Sequence, residues 1–78
     1  MMELTAIEVF LKVAAELHFG RAAEQLNLSQ PRVSRIIHRL ENDVGGPLFE
    51  RSSRRVLLTP LGARLRAAAQ PRKGSDGQ

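Results

Sequence analysis

Cysteine, tryptophan and tyrosine are absent from this 78-residue chain, and Phe10, Phe19 and Phe49 are its whole aromatic content. Without cysteine there is no disulfide framework, no thiolate metal site and no thiol nucleophile. With so few aromatics the chain lacks the exposed stacking platforms of single-strand nucleic-acid readers. No apolar run approaches the ~18 residues of a membrane span. The first residues interleave apolar positions with Glu3, Glu8 and Lys12, unlike a signal peptide. His18 and His38 lack cysteines or paired carboxylates around them, so no metal site is expected. A Ser-His-Asp arrangement is not expected either. The serines fall at turn and capping positions, and so short a chain can hardly enclose a shaped pocket. No Walker or dinucleotide-binding glycine pattern occurs. Neither a cofactor nor an enzymatic activity is expected.

What is there in quantity is positive charge. The formal net charge is +4, and ten of the twelve Lys and Arg residues are Arg. The charge is unevenly placed. Lys12 and Arg21 against Glu3, Glu8, Glu16 and Glu24 make residues 1–28 net −2. Ten cations against Glu41, Asp43, Glu50 and Asp76 make residues 29–78 net +6. Arg suits phosphate and base edges because its planar fork donates two parallel hydrogen bonds. The asymmetry points to an anionic partner for the second half, although a basic surface can also serve solubility alone.

One small domain is expected at this length. Leu4, Ile7, Phe10, Leu11, Ala14 and Leu17 recur at helical spacing and predict an amphipathic helix over roughly 4–17. Gly20 is a tolerable N-cap for a short helix from Arg21 to Leu26, in which Ala22 and Ala23 allow close helix approach. Asn27 tolerates a left-handed backbone and can end that helix, Leu28 can fill the corner, and Ser29 with Pro31 starts the next helix. That helix should run from about Gln30 to Val44. At ~100° per residue, Ile36, Ile37, Leu40 and Val44 fall within about 60° of Val33, while Arg35, His38 and Asn42 lie near the opposite side. Gly45-Gly46-Pro47 stops it. Leu48–Arg51 and Val56–Thr59 read as a hairpin around a Ser52-Ser53-Arg54-Arg55 tip. Leu48, Phe49 and Leu57 or Leu58 should pack on the helices. Thr59-Pro60 opens a last helix to about Gln70, and Pro71 should end it, leaving 71–78 as a disordered tail.

Ala22-Ala23-x-x-Leu26-x-x-Ser29-Gln30-Pro31-x-x-Ser34-x-x-Ile37-x-x-Leu40-Glu41 strongly resembles the DNA-binding domain of LysR-type transcriptional regulators. So do Gly45-x-x-Leu48-Phe49-x-Arg51, the Arg54-Arg55 tip and Leu58-Thr59-x-x-Gly62. The resemblance spans roughly residues 3–69. It implies a mainly α, winged helix-turn-helix fold: a three-helix core, a small β-hairpin wing and the start of a linker helix. The expected layout is a DNA-binding domain over 1–58, a linker or dimerisation helix over 59–70 and the tail over 71–78. The resemblance further implies a cytoplasmic, nucleoid-associated homodimer that binds imperfect inverted repeats in double-stranded DNA. Family members also carry a large C-terminal effector domain. These residues hold no counterpart, so no small-molecule effector is expected on them and dimerisation should be weakened. Arg32 and Gly20 depart from the family pattern, which has a small or apolar residue and a Ser or Thr there.

By position, Gln30, Pro31, Ser34 and Arg35 become the base-reading set: Gln for adenine, Arg for guanine, Pro31 for a thymine methyl. Ser34 and Arg35 can alternatively be solvated. Arg21, Ser29, Arg32, His38, Arg39, Arg51 and Arg55 are the phosphate-contact set. A salt bridge is the alternative for Arg51, and simple solvation for Arg21. Arg54 is expected to enter a narrow A·T-rich minor groove. Leu61, Leu65, Ala68 and Ala69 form the expected exposed dimerisation stripe. It could also make the chain an interaction module that pairs with full-length regulators.

Overall fold

The computed structural model describes residues 4–52 and 55–70. The first helix, α1 (Ala6–Glu16), begins at a capping box. The Thr5 Oγ1 accepts from the Glu8 amide at 3.1 Å, and the Glu8 carboxylate accepts from the Thr5 amide at 2.8 Å. The expected span of 4–17 is therefore too long at both ends. Leu4 precedes the cap, and Leu17 is the left-handed C-cap at φ 50°. Both leucines are exposed, so apolar periodicity overran the hydrogen-bonded helix.

The next helix, α2 (Phe19–Leu26), starts earlier than expected, and Gly20 is not its cap. His18 is: its Nδ1 accepts from the Arg21 amide at 3.0 Å, a bond that Gly20 has no side chain to make. Asn27, at φ 58°, ends the helix. The Leu28 amide then donates to the Ala23 carbonyl at 3.0 Å, which closes the turn. Ser29 accepts from the Arg32 amide at 3.2 Å and starts α3 (Gln30–Val44), with Pro31 in the first turn. Gly45 stops α3 at φ 95°, its amide on the Glu41 carbonyl at 2.9 Å.

Two short antiparallel strands follow, β1 (Phe49–Arg51) and β2 (Val56–Leu58), in the register Phe49↔Leu58, Glu50↔Leu57, Arg51↔Val56. Strand alternation sends Leu58 towards the core and leaves Leu57 exposed. The last helix, α4 (Pro60–Ala69), is capped by Thr59. The architecture is thus three helices, a two-stranded wing and a fourth helix.

Val9, Phe10, Val13, Ala22, Val33, Ile37 and Leu48 are sealed from solvent at the centre. All three phenylalanines meet there. Phe10 and Phe49 lie 5.5 Å apart between ring centroids, and Phe19 meets Phe49 edge-on at 5.9 Å, joining α1, α2 and β1. The expected exposed stripe on α4 needs correction. Leu61 and Leu65 are half-buried and pack against this core, because α4 turns back against α1 and β2. Ala68 is exposed and Ala69 half-buried.

A compact set of bonds ties the base of the wing to the helices. The Glu41 carboxylate of α3 accepts from the Leu48 amide at 2.8 Å. The Leu48 carbonyl accepts from the Thr59 amide at 3.0 Å. The Thr59 hydroxyl donates to the Pro47 carbonyl at 2.7 Å and accepts from the Gly62 amide at 2.9 Å. Gly62 permits this closeness: a Cβ there would lie 2.3 Å from the Leu48 oxygen and 2.8 Å from Leu58 Cδ1. In an open helix Gly→Ala stabilises by about 1 kcal/mol. Here the collision with backbone outweighs that gain, and Gly62→Ala should destabilise the fold by about 1–3 kcal/mol in chemical denaturation.

Candidate nucleic-acid interface

Helix α3 buries Val33, Ile37 and Leu40 and turns its other side outward. Along that side runs an open groove of about 710 Å³, lined by Arg32, Ser34, Arg35, Ile36, His38, Arg39, Asn42 and Arg51. Seven of these come from α3, and Arg51 reaches in from β1. Four guanidinium groups and no carboxylate line the groove, so its field is positive. The wing strand therefore extends the basic face of the helix sideways.

The α3 N-terminus adds to that field, since the exposed amide end of a helix favours anions. Ser29, Gln30 and Pro31 are exposed there. The Ser29 oxygen is already engaged as the cap. Gln30 projects towards the start of α2: its Oε1 lies 3.5 Å from the position a Gly20 Cβ would occupy, beside the His18 ring. Arg21, in the first turn of α2, is exposed.

The residues assigned from sequence thus divide into groups. Arg32, Ser34, Arg35, His38, Arg39 and Arg51 come together in the groove. Gln30, Pro31, Ser29 and Arg21 belong to the adjoining helix ends and do not line it. Arg55 is exposed at the base of the hairpin turn. Its amide donates to the Ser52 hydroxyl at 3.3 Å, and its carbonyl accepts from the Ser52 amide at 3.0 Å. Arg54 and Ser53 lie outside the described residues, as does the segment 71–78.

Arg51 does not form the salt bridge weighed for it among the described residues. Its guanidinium carbon sits 4.1 Å from the centroid of the Phe19 ring. His38 Nδ1 and Glu41 Oε1, at 4.0 Å, form the one contact between acidic and basic side chains found among the described residues, an ion pair only when the histidine is protonated. Two groove residues were missed as site residues. Asn42 projects from the middle of the exposed α3 face, a position that helical spacing already indicated. Ile36, expected on the Val33 side of the helix, packs partly against the core and also lines the groove. The Arg51–Phe19 contact had no sequence signal, because the two residues are brought together only by folding.

No group of three or more His, Cys, Asp or Glu side chains among the described residues could hold a metal ion. No helix among them is long and apolar enough to cross a membrane.

Comparison with known proteins identifies the framework. The model of bacterial regulatory helix-turn-helix proteins of the lysR family matches residues 4–63. The HTH-type transcriptional regulator XapR of Escherichia coli K12 is 55% identical over 60 residues, covering 77% of this chain and 20% of XapR. The chain therefore spans about a fifth of that relative's length. A LysR-family transcriptional regulator from Eggerthella lenta DSM 2243 superimposes with a TM-score of 0.78 at 44% identity, covering 87% of this chain and 96% of the other. The structure of BenM_DBD in complex with catB site 1 DNA gives a TM-score of 0.78 at 40% identity, covering 86% and 74%. With the family model matching most of the chain and the fold agreeing with it, the chain belongs to the lysR family of bacterial regulatory helix-turn-helix proteins.

Proposed function

We propose that this chain is the DNA-reading head of a transcription regulator, binding double-stranded DNA with α3 in the major groove and the wing alongside. The observation that carries the proposal is the open groove on α3, whose lining holds four arginines and no carboxylate. The DNA complex of BenM_DBD, similar in fold and 40% identical, supports it. In this reading residues 1–58 form the DNA-binding unit and 59–70 the start of a linker helix that pairs two protomers on an imperfect inverted repeat. The protein works in the cytoplasm, on the nucleoid. Gln30, Pro31, Ser34 and Arg35 address bases. Arg21, Ser29, Arg32, His38, Arg39, Arg51 and Arg55 meet backbone phosphate, and Arg54 enters the minor groove. The reading as a separate interaction module loses its main support, because Leu61 and Leu65 are partly occupied by the chain's own core.

A salt titration tests the function directly. With ~3–5 phosphate contacts per protomer, a dimer should show a log–log slope of affinity against salt steeper than about −5; a flat slope would rule out DNA binding. Arg35→Ala should weaken binding to a selected site by about 1–3 kcal/mol and relax base preference at one position. Equal losses on selected and scrambled duplexes would reduce Arg35 to a phosphate contact. Arg54→Ala should weaken binding most on A·T-rich flanks, measured by titrating duplexes that differ only in the flank. Indifference to the flank would remove its minor-groove role.

A further inference from the structure

Phe19 opens α2 and is buried, in a T-shaped contact with Phe49 in the core. Its ring also meets the Arg51 guanidinium, 4.1 Å from the ring centroid. Arg51 is an exposed residue whose backbone is held in the wing by pairing with Val56, and its side chain lines the basic groove beside Arg32, Arg35 and Arg39. One aromatic ring therefore touches both the core and a cation of the candidate DNA face. We propose that Phe19 is a positioning residue for DNA binding: its ring fixes Arg51 at the groove, oriented to hold a backbone phosphate.

The physical basis is the two-sided nature of guanidinium. Its flat face is weakly hydrated and lies well on an aromatic ring, while its N–H groups point outward in the guanidinium plane. Stacking and phosphate binding therefore do not compete for the same atoms. Three other arginines close by would tend to push a loose side chain away from the groove. The ring offers local attraction that opposes this repulsion. The rotamer freedom of Arg51 is then lost on folding, so less remains to be lost when DNA arrives. Lysine would not substitute, because an ammonium pressed on the ring directs some of its few donors away from the phosphate.

This inference rests on the DNA-binding reading above, and a double-mutant cycle separates the two. The probe is a duplex recovered by this chain from a random pool, titrated with the parent, Phe19→Leu, Arg51→Ala, Arg51→Lys and the Phe19→Leu/Arg51→Ala double variant. Phe19→Leu should weaken binding about two- to fivefold in the parent and not at all once Arg51 is alanine. Arg51→Lys keeps the charge yet should lose most of what Arg51→Ala loses. Thermal unfolding of each variant monitors the fold. If Phe19→Leu unfolds at the assay temperature, the Arg51→Lys comparison decides alone, since it removes no core atom. Equal losses from Phe19→Leu in both backgrounds, or parental affinity for Arg51→Lys, would overturn the positioning role while leaving DNA binding intact. Failure of the parent to bind any duplex at low salt would overturn both readings.

Discussion

The contact on which the rest of the molecule depends is the cluster of its three phenylalanines. Phe10 comes from α1, Phe19 from α2 and Phe49 from β1, and Phe49 touches both others. In a chain with no tryptophan or tyrosine, these rings supply the largest apolar surfaces available. Their meeting fixes how the wing sits against the helices. The basic groove follows from it, because Arg51 reaches α3 only when β1 lies where Phe49 places it. The core and the candidate DNA face are in this sense one construction.

A second constraint works from the opposite side. Glu41 of α3, the carbonyls of Pro47 and Leu48, Thr59 and Gly62 form a continuous set of short contacts at the base of the wing. From the sequence Thr59 reads as a helix cap and Glu41 enters only as a charge and a motif position. In the fold, Glu41 holds the strand entry and the Thr59 hydroxyl bonds in two directions. A two-stranded hairpin is marginal by itself. Anchoring its base on two helices and its inner face on the core gives the wing a defined position. Arg55 can then stand exposed beside the turn without the hairpin having to stabilise itself.

Much of this was legible in the order of residues. Ser29 and Pro31 marked the start of α3, Asn27 and Gly45 the ends of α2 and α3, and Thr59-Pro60 the start of α4. These signals act within one helical turn, so sequence carries them in full. The errors arose where two local rules competed. Gly20 is the cap that residue preference suggests for α2, yet His18 has the acceptor atom and reaches the Arg21 amide. Leu4 and Leu17 continued the apolar pattern of α1, but a capping box and a left-handed turn set its ends. On α4 the apolar positions were read correctly and their destination was not. Leu61 and Leu65 face their own core, since an apolar stripe does not specify which surface covers it.

By itself, the sequence determined the helices, the turn between α2 and α3, the hairpin and the side of α3 that carries arginine. Each follows from hydrogen bonds or side-chain periodicity within a few residues. Only the tertiary structure decided that Arg51 joins that face, that Phe19 lies beneath its guanidinium, that Glu41 secures the wing and that Gly62 must lack a side chain. These contacts join segments distant in the chain. Their geometry is set by how the phenylalanine rings and the helices close-pack, which no local pattern specifies.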